Sequence, residues 1–413
     1  MLAEGRVHRH PHSAPASNLG AFGGFSGDSG SVRAGIGSSI RPEGAGGVEE
    51  ALEAALAGLG GAPPDAVIVA GTAALGSRTL PGLIDRVGAG LDCAAWIAAS
   101  AEGLLLADRE IVRLPGFAVV AVSGIRAESF SCENLPGREA EAAAEIAGEL
   151  SGSPEAGDLL IVFIDSMGLA LGPLIPALAQ VAGPARIMGL GASEMPGGAP
   201  QIWGAGDFVE KGCAGLWIRA PRSPAIAVTD GSRAVGEEME ITRVRGHWVL
   251  GLDGCPALAR LRDAVGALEP GALTRSVLAR LRASGAGDAP GSPVVRNLTG
   301  IDPDREGFAL PVAPSKGDGL CFVRMDSVAA REDLGASLAE LGPGQAGLGL
   351  YFSCRSRGEN LFQHAGLESG YLARTLGGAP LLGMMGAFQL APDPLEGVPL
   401  FHTYSGVFAR FER

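Results

Sequence analysis

One arrangement of strands and helices recurs three times along the chain, and any fold must accommodate all three copies. The first runs Ala66–Gly71 as an apolar strand, Leu80–Val87 as a helical stretch, Ala94–Ala99 as a second strand and Phe117–Ser123 as a closing strand. The second has Leu159–Ile164, Leu174–Val181, Ile187–Gly191 and Gly212–Ile218. The third has Leu348–Ser353, Leu361–Leu376, Leu381–Met385 and Phe401–Phe408. Measured from Ala66 to Phe117, Leu159 to Gly212 and Leu348 to Phe401, the offsets are 51, 53 and 53 residues. The short apolar runs read as strands, and the stretches between them have helical spacing. Each copy therefore reads as βαββ, and the shared order and span make the three copies one duplicated unit.

At 413 residues the chain exceeds one ordinary core and suggests two or three domains. Its net charge of −13, with no basic stripe, argues against direct binding to nucleic acid or to an anionic membrane. The six cysteines lie far apart and form no C-x-x-C pair, which argues against a disulfide framework and a zinc site and suits a reducing cytoplasm. The N-terminus has no apolar signal region. The stretch Leu159–Ala182 is apolar enough to suggest a membrane span, but it would carry Asp165 into lipid and it contains Pro173 and Pro176. It reads as a buried strand followed by a helix, in a soluble, cytoplasmic protein.

Residues 1–30, rich in Gly, Ser, His and Pro, read as a flexible tail in which His8, His10 and His12 are solvated. Gly27–Ser31 has the look of a serine-protease nucleophile, but no histidine and aspartate of that arrangement precede it. Residues 31–222 form an expected first domain holding copies one and two, joined by a Glu-rich helix over Pro136–Leu150. The boundary falls at Arg219–Pro224, with two prolines, charges and no periodicity. Residues 223–413 form the second, opening with short strands at Ala225–Thr229, Met239–Val244 and Trp248–Leu252, a turn at Arg245–His247 and a helix over Pro256–Leu268. The class is mixed α/β (α+β), two layered domains built from repeated βαββ units.

No phosphate-cradling loop, dinucleotide fingerprint, G-x-S-x-G or H-E-x-x-H is present. Polar clusters do stand at strand ends: Ser100–Gly103 with Arg109–Glu110, Asp165–Ser166, Ser193–Glu194 and Ser353–Gly358. Strand ends of α/β sheets are where ligands bind. Over residues 31–413 these segments resemble the FIST family, sensory domains of bacterial signal-transduction proteins and certain eukaryotic F-box proteins. Ile97–Gly103 through Arg109–Glu110 is similar to its small-residue segment in the N-terminal portion. Ser232–Gly236 with Glu240–Thr242, Leu252–Leu258, Val295–Pro303 and Arg324–Asp326 with Glu332–Leu334 are similar to the opening of its C-terminal portion. Phe352–Gly358 resembles the F-S-C-x-G-R-G signature, and Leu400–Tyr404 the closing histidine strand. Two departures stand out. Phe388 and Gln389 replace the usual Gly-Glu, which narrows an adjacent cavity and removes a charge for a cation, and Arg355 is an extra arginine, a shift towards an anionic ligand.

The resemblance implies a small-molecule-binding sensor rather than an enzyme, with an amino-acid-like or other small carboxylated ligand and a separate signalling partner. Its candidate ligand-binding residues are Ser100, Glu102, Arg296, Arg324, Cys354, Arg357, Gln389 and His402. Those from Arg324 onward are expected to line one cleft, faced by Ser100 and Glu102. The arginines could clamp a carboxylate or pair with Asp302, Asp326 or Asp333. No cofactor is required. Two alternatives stand beside this: a haem-based nitric oxide sensor using His247, His364 or His402, and an enzyme with Cys354 as nucleophile and His402 as base. Because residues 1–30 lack apolar periodicity, deleting them should change unfolding free energy by no more than about 0.5 kcal/mol. A larger loss on chemical denaturation would show that the tail is docked.

Overall fold

The recurring unit is one strand and one helix longer than βαββ. The computed structural model describes residues 31–44, 46–266, 270–284, 292–393 and 399–413; the expected tail with its histidines lies outside them. Unit one has strands Arg33–Ser39, Ala66–Thr72, Trp96–Ala101 and Phe117–Ser123, with helices Gly47–Ala57 and Thr79–Gly90 after the first and second. Unit two has strands Arg126–Cys132, Leu159–Asp165, Arg186–Ala192 and Cys213–Arg219, with helices Ala142–Glu149 and Leu171–Ala182. Unit three has strands Ala225–Thr229, Ala346–Cys354, Leu381–Gly386 and Gly406–Glu412, with helices Ser327–Glu340 and Leu367–Leu376. Every unit shows the sheet order first–fourth–second–third. The second and third strands are parallel, and the fourth is antiparallel to both of its neighbours. In each unit the opening and closing strands of the recurring pattern lie in one sheet.

Between its third and fourth strands each unit carries a short hairpin that pairs with another unit's sheet. The hairpin of unit one, Gly103–Leu105 and Glu110–Val112, extends the third strand of unit three. That of unit two, Ile202–Gly204 and Asp207–Phe208, extends unit one. That of unit three, Gln389–Pro392 and Pro399–His402, extends unit two. The exchange is cyclic, so the chain closes into a ring with pseudo-threefold symmetry. Three equivalent amides mark the closure: Glu102 N–H donates to Met385 O (2.7 Å), Ser193 N–H to Ser100 O (3.0 Å) and Ala387 N–H to Gly191 O (2.9 Å). Sheet hydrogen bonds thus run between residues 31–222 and 223–413 at two of the three junctions.

The inner faces of the three sheets share one core. Ile68 and Ala70, Ile161 and Phe163, and Leu350 and Phe352 meet there. Alternate residues point outward beneath the helices of their own unit: Val67 and Val69, Leu160 and Val162, and Tyr351. Burial on both faces is why these strands read as continuous apolar runs. Leu159–Ala182 is strand plus helix as expected, and among the described residues no helix is long and apolar enough to cross a membrane.

Unit three alone carries an insertion. Between its first strand and helix Ser327–Glu340 the chain detours through a nine-stranded sheet, from Ser232–Ala234 to Gly319–Met325, with a separate core around Ile241, Phe308 and Phe322. The chain returns to the ring at Asp326, whose carboxylate caps the helix by accepting from the N–H groups of Val328 (3.1 Å) and Ala329 (2.8 Å).

Two expected elements are divided in the structure. The helix expected over Leu361–Leu376 breaks into Glu359–Phe362 and Leu367–Leu376, because Gln363 (φ 60°) and Gly366 (φ 75°) turn left-handed between them. The strand expected over Phe401–Phe408 also divides: its first part belongs to the exchanged hairpin, and the closing strand starts at Gly406 after a corner at Tyr404 (φ 63°). A Cβ at position 386 would lie 2.4 Å from Gly191 O, across a ring junction. Gly386→Ala should therefore lower the unfolding free energy by about 1–3 kcal/mol. An unchanged denaturation midpoint would mean the junction is not closed in this way.

Candidate functional site

The symmetry of the ring fails at one pair of side chains. On the hairpin of unit one, Leu104 faces Ile111, and both are buried in the common core. On that of unit two, Ile202 and Val209 occupy the same places, with Val209 N–H donating to Ile202 O at 2.9 Å. Unit three has Gln389 opposite His402. The supporting strands correspond as well, since Leu104 pairs with Met384, Ile202 with Ala99 and Gln389 with Leu190. Gln389 is 0% exposed and His402 7%. Gln389 Oε1, Gln389 Nε2 and His402 Nε2 have no hydrogen-bond partner. Each such buried, unpaired atom costs about 1–3 kcal/mol, so two apolar positions of the fold have been given a polar pair against stability.

His402 opens onto a cavity of about 620 Å³, within the range that encloses a small molecule. One wall is the first strand of unit three, with Ile226 and Val228, ending at Asp230. Helix Ser327–Glu340 contributes Asp333 and Glu340, and the hairpin contributes Asp393 and Leu400. Val295 of the insertion and Arg186 of unit two complete it. The carboxylates are held in place. Asp393 accepts from the Ser292 hydroxyl (2.6 Å), Asp230 accepts from Ser232 N–H (2.6 Å) and lies 3.4 Å from Arg280, and Asp333 accepts from the Thr229 hydroxyl and from Asp230 N–H (3.0 Å). The corner residue Tyr404 is a bulky side chain in a left-handed conformation, a strain that concentrates at functional sites.

Burial pushes His402 down from its ordinary 6.5 to about 4; the Arg296 charge adds to the shift, while Asp230 and Asp393 oppose it. At neutral pH the imidazole is uncharged and offers one N–H and one bare nitrogen. Arg296 lies with its guanidinium 4.7 Å above the Phe401 ring and donates to the carbonyls of Val295 (2.8 Å) and Phe401 (2.7 Å). Burial lowers it to about 10.

Of the eight residues expected at the site, His402 lines the cavity, Gln389 stands beside it, and Arg296 packs behind it on Phe401. Arg357 is fully buried and braces the cavity from behind. Its Nε meets Glu368 Oε1 at 2.8 Å, the Tyr351 hydroxyl donates to the same oxygen (2.5 Å), and Nη1 reaches the carbonyls of Asp230 (3.1 Å) and Tyr404 (3.4 Å). Its carboxylate partner is thus Glu368 rather than Asp302, Asp326 or Asp333. Cys354 is buried and accepts from the Ser356 hydroxyl (3.1 Å), with no hydrogen bond to His402. Arg324 is half-buried in the insertion, opposite Arg233. Ser100 seals the junction of units one and two, donating to Ser193 O (2.7 Å) and accepting from Gln201 N–H (3.0 Å). Glu102 supplies one of the ring-closing amides. Phe388 does not narrow the cavity: it packs outward, against Phe401 at 5.0 Å and over Gly191. His247 meets Leu310 O at 3.2 Å and His364 is exposed. Sequence reasoning missed Asp230 and Asp393. The Asp230-Gly231 turn and the proline flanks of Asp393 were the available signals.

Fold and site together define a pseudo-threefold α/β protein with a ligand-sized cavity beside one of its three exchanged hairpins. The FIST N domain matches residues 65–255 and the FIST C domain residues 257–392. The chain belongs to the FIST family, whose domains are sensory domains in signal transduction. Its relatives include an uncharacterized protein of Mycobacterium tuberculosis, 27% identical over 396 residues, covering 92% of this chain and 100% of the relative. Another, an uncharacterized protein of Mycobacterium bovis, is 26% identical over 393 residues, covering 92% and 99%. A crystal structure of cyanuric acid hydrolase from A. caulinodans overlaps 47% of this chain and 72% of its own, at 12% identity and a TM-score of 0.26, too slight a likeness to bear on fold or function.

The His402 shift has a direct consequence. Folding favours the neutral ring, so its contribution is constant above pH 6.5 and is lost as pH falls from 6.5 towards 4. The folding constant should drop roughly tenfold per pH unit across that window. His402→Val should remove this part of the pH dependence, read as the difference between variant and wild type in urea unfolding at pH 7 and pH 5. Parallel losses in the two proteins would contradict the assignment.

Proposed function

We propose that the chain is a sensory protein that binds a small amino-acid-like molecule in the cavity beside Gln389 and His402. The observation that carries this reading is His402, which lines the cavity with an unpartnered Nε2, beside the buried and unpartnered amide of Gln389. The lining suggests an orientation. Asp230 and Asp393 suit an ammonium group, Ile226, Val228 and Leu400 suit an apolar body, and Arg186 suits a carboxylate. Acidic residues outnumber basic ones in the wall, which favours a ligand with a cationic end over a purely anionic one. Occupancy would be read by a separate partner protein. Asp230 and Tyr404 are tied to the Arg357–Glu368 pair, so a ligand pressing on the cavity wall also presses on a fully buried ion pair of unit three.

A thermal-shift screen against amino acids, small carboxylates and haem tests the reading, since a ligand at 100 times its Kd adds about 2.7 kcal/mol of stability. An amino acid is expected among the hits. Asp393→Asn should weaken its binding by about 1.5–3 kcal/mol in calorimetry, the loss of one charged hydrogen bond. A Soret band in the purified protein, or amino-acid binding indifferent to Asp393→Asn, would contradict it.

A further inference from the structure

The chemistry of the unpartnered atoms narrows the ligand further, on the reading that the cavity holds a small molecule. Gln389 offers one acceptor, Oε1, and one donor pair, Nε2, on a single plane, and neither is engaged. A carboxylate could accept from Nε2 but would set its charge against Oε1. An ammonium could donate to Oε1 but would leave Nε2 unpaired. The Arg296 Nη groups each donate to a backbone carbonyl, of Val295 and of Phe401, while its Nε is unpartnered. A group that carries N–H and C=O side by side satisfies both halves of Gln389 at once. The neutral imidazole of His402, unpartnered at Nε2, can then take a third hydrogen bond in whichever tautomer the ligand requires.

We propose that the inner end of the cavity recognises a planar amide, either a carboxamide or the N–H/C=O edge of a heterocycle, through paired hydrogen bonds to Gln389 and a further contact with His402. Gln389 is fully buried and does not itself line the cavity, so contact with it requires the side chain of His402, its cross-strand neighbour, to turn aside. The polar pair is then the specificity element of this chain. The equivalent Leu104–Ile111 and Ile202–Val209 pairs show what the fold places there when nothing has to be recognised. A carboxamide-bearing amino acid satisfies the whole cavity, with its amide at the inner end and its ammonium by Asp230 and Asp393.

Matched probes test this by calorimetry on the full chain: L-glutamine against L-glutamate, L-asparagine against L-aspartate, and nicotinamide against nicotinate. In at least one pair the amide should bind, with the acid at least tenfold weaker. The double variant Gln389→Ile/His402→Val restores the core residues of unit two. It should lose that binding at least tenfold and unfold at a higher temperature than the wild type. Gln389→Glu alters one terminal group and should erase the preference for the amide, which keeps the test open if the double variant does not fold. Equal binding of acid and amide, amide binding that survives in the double variant, or no binding by any probe would each overturn the proposal. Should another molecule bind in an Asp393-dependent way, the site reading stands and only the amide inference falls.

Discussion

The third strand of every unit would end its sheet with a row of unpaired N–H and C=O groups, and the architecture follows from how that edge is covered. An open edge invites pairing with another chain. Here each unit covers the edge of the preceding one with its own hairpin, and because the last hands back to the first no edge of this kind remains. The amides of Glu102, Ser193 and Ala387 are the points where one unit's backbone passes to the next. No unit is complete alone: the hairpin at 103–112 finishes a sheet that begins at Ala225, and the one at 389–402 finishes a sheet that begins at Arg126. The shared core inside the ring depends on that closure.

A threefold repeat gives three equivalent hairpin positions, and in this chain one of them differs from the other two. Two hairpins present aliphatic pairs to the core, while the third presents Gln389 and His402. The insertion belongs to the same unit and reaches the same hairpin, where Arg296 grips the Phe401 carbonyl and the Thr403 hydroxyl donates to Val295 O at 2.7 Å. Insertion and polar pair therefore occur together. Behind them the Arg357–Glu368 pair is wholly removed from water. Removing one partner of such a pair leaves a buried charge and costs about 3–5 kcal/mol. Arg357 lies behind the cavity's walls, bonded to the Asp230 and Tyr404 carbonyls, and is not among the residues that line it.

Much of the fold was legible in the sequence because the central strands are buried on both faces. Leu159–Ile164 and Leu348–Ser353 are apolar without interruption, and their spacing announced the repeat. The exchanged hairpins were not legible. Gly103–Leu105 and Ile202–Gly204 are three residues each, too short for periodicity, and their partners lie in other units. The first strand of unit two, Arg126–Cys132, was missed because it is an edge strand with mixed exposure and no apolar run. For the site, the family resemblance drew attention to Gln389 and His402, while Ser100 and Glu102 stand in an equally polar segment that closes the ring. Only the register of the three hairpins separates these cases. It shows that Gln389 stands where leucine and isoleucine stand elsewhere.

Hydrogen exchange at the three ring-closing amides tests the central claim most directly. If the ring is one cooperative structure, Glu102, Ser193 and Ala387 exchange only through global unfolding, with one common opening free energy equal to that from denaturant unfolding. Exchange at any one of them through a lower-energy local opening, with the other two still protected, would show that its hairpin is docked on a finished unit and that the ring is not closed.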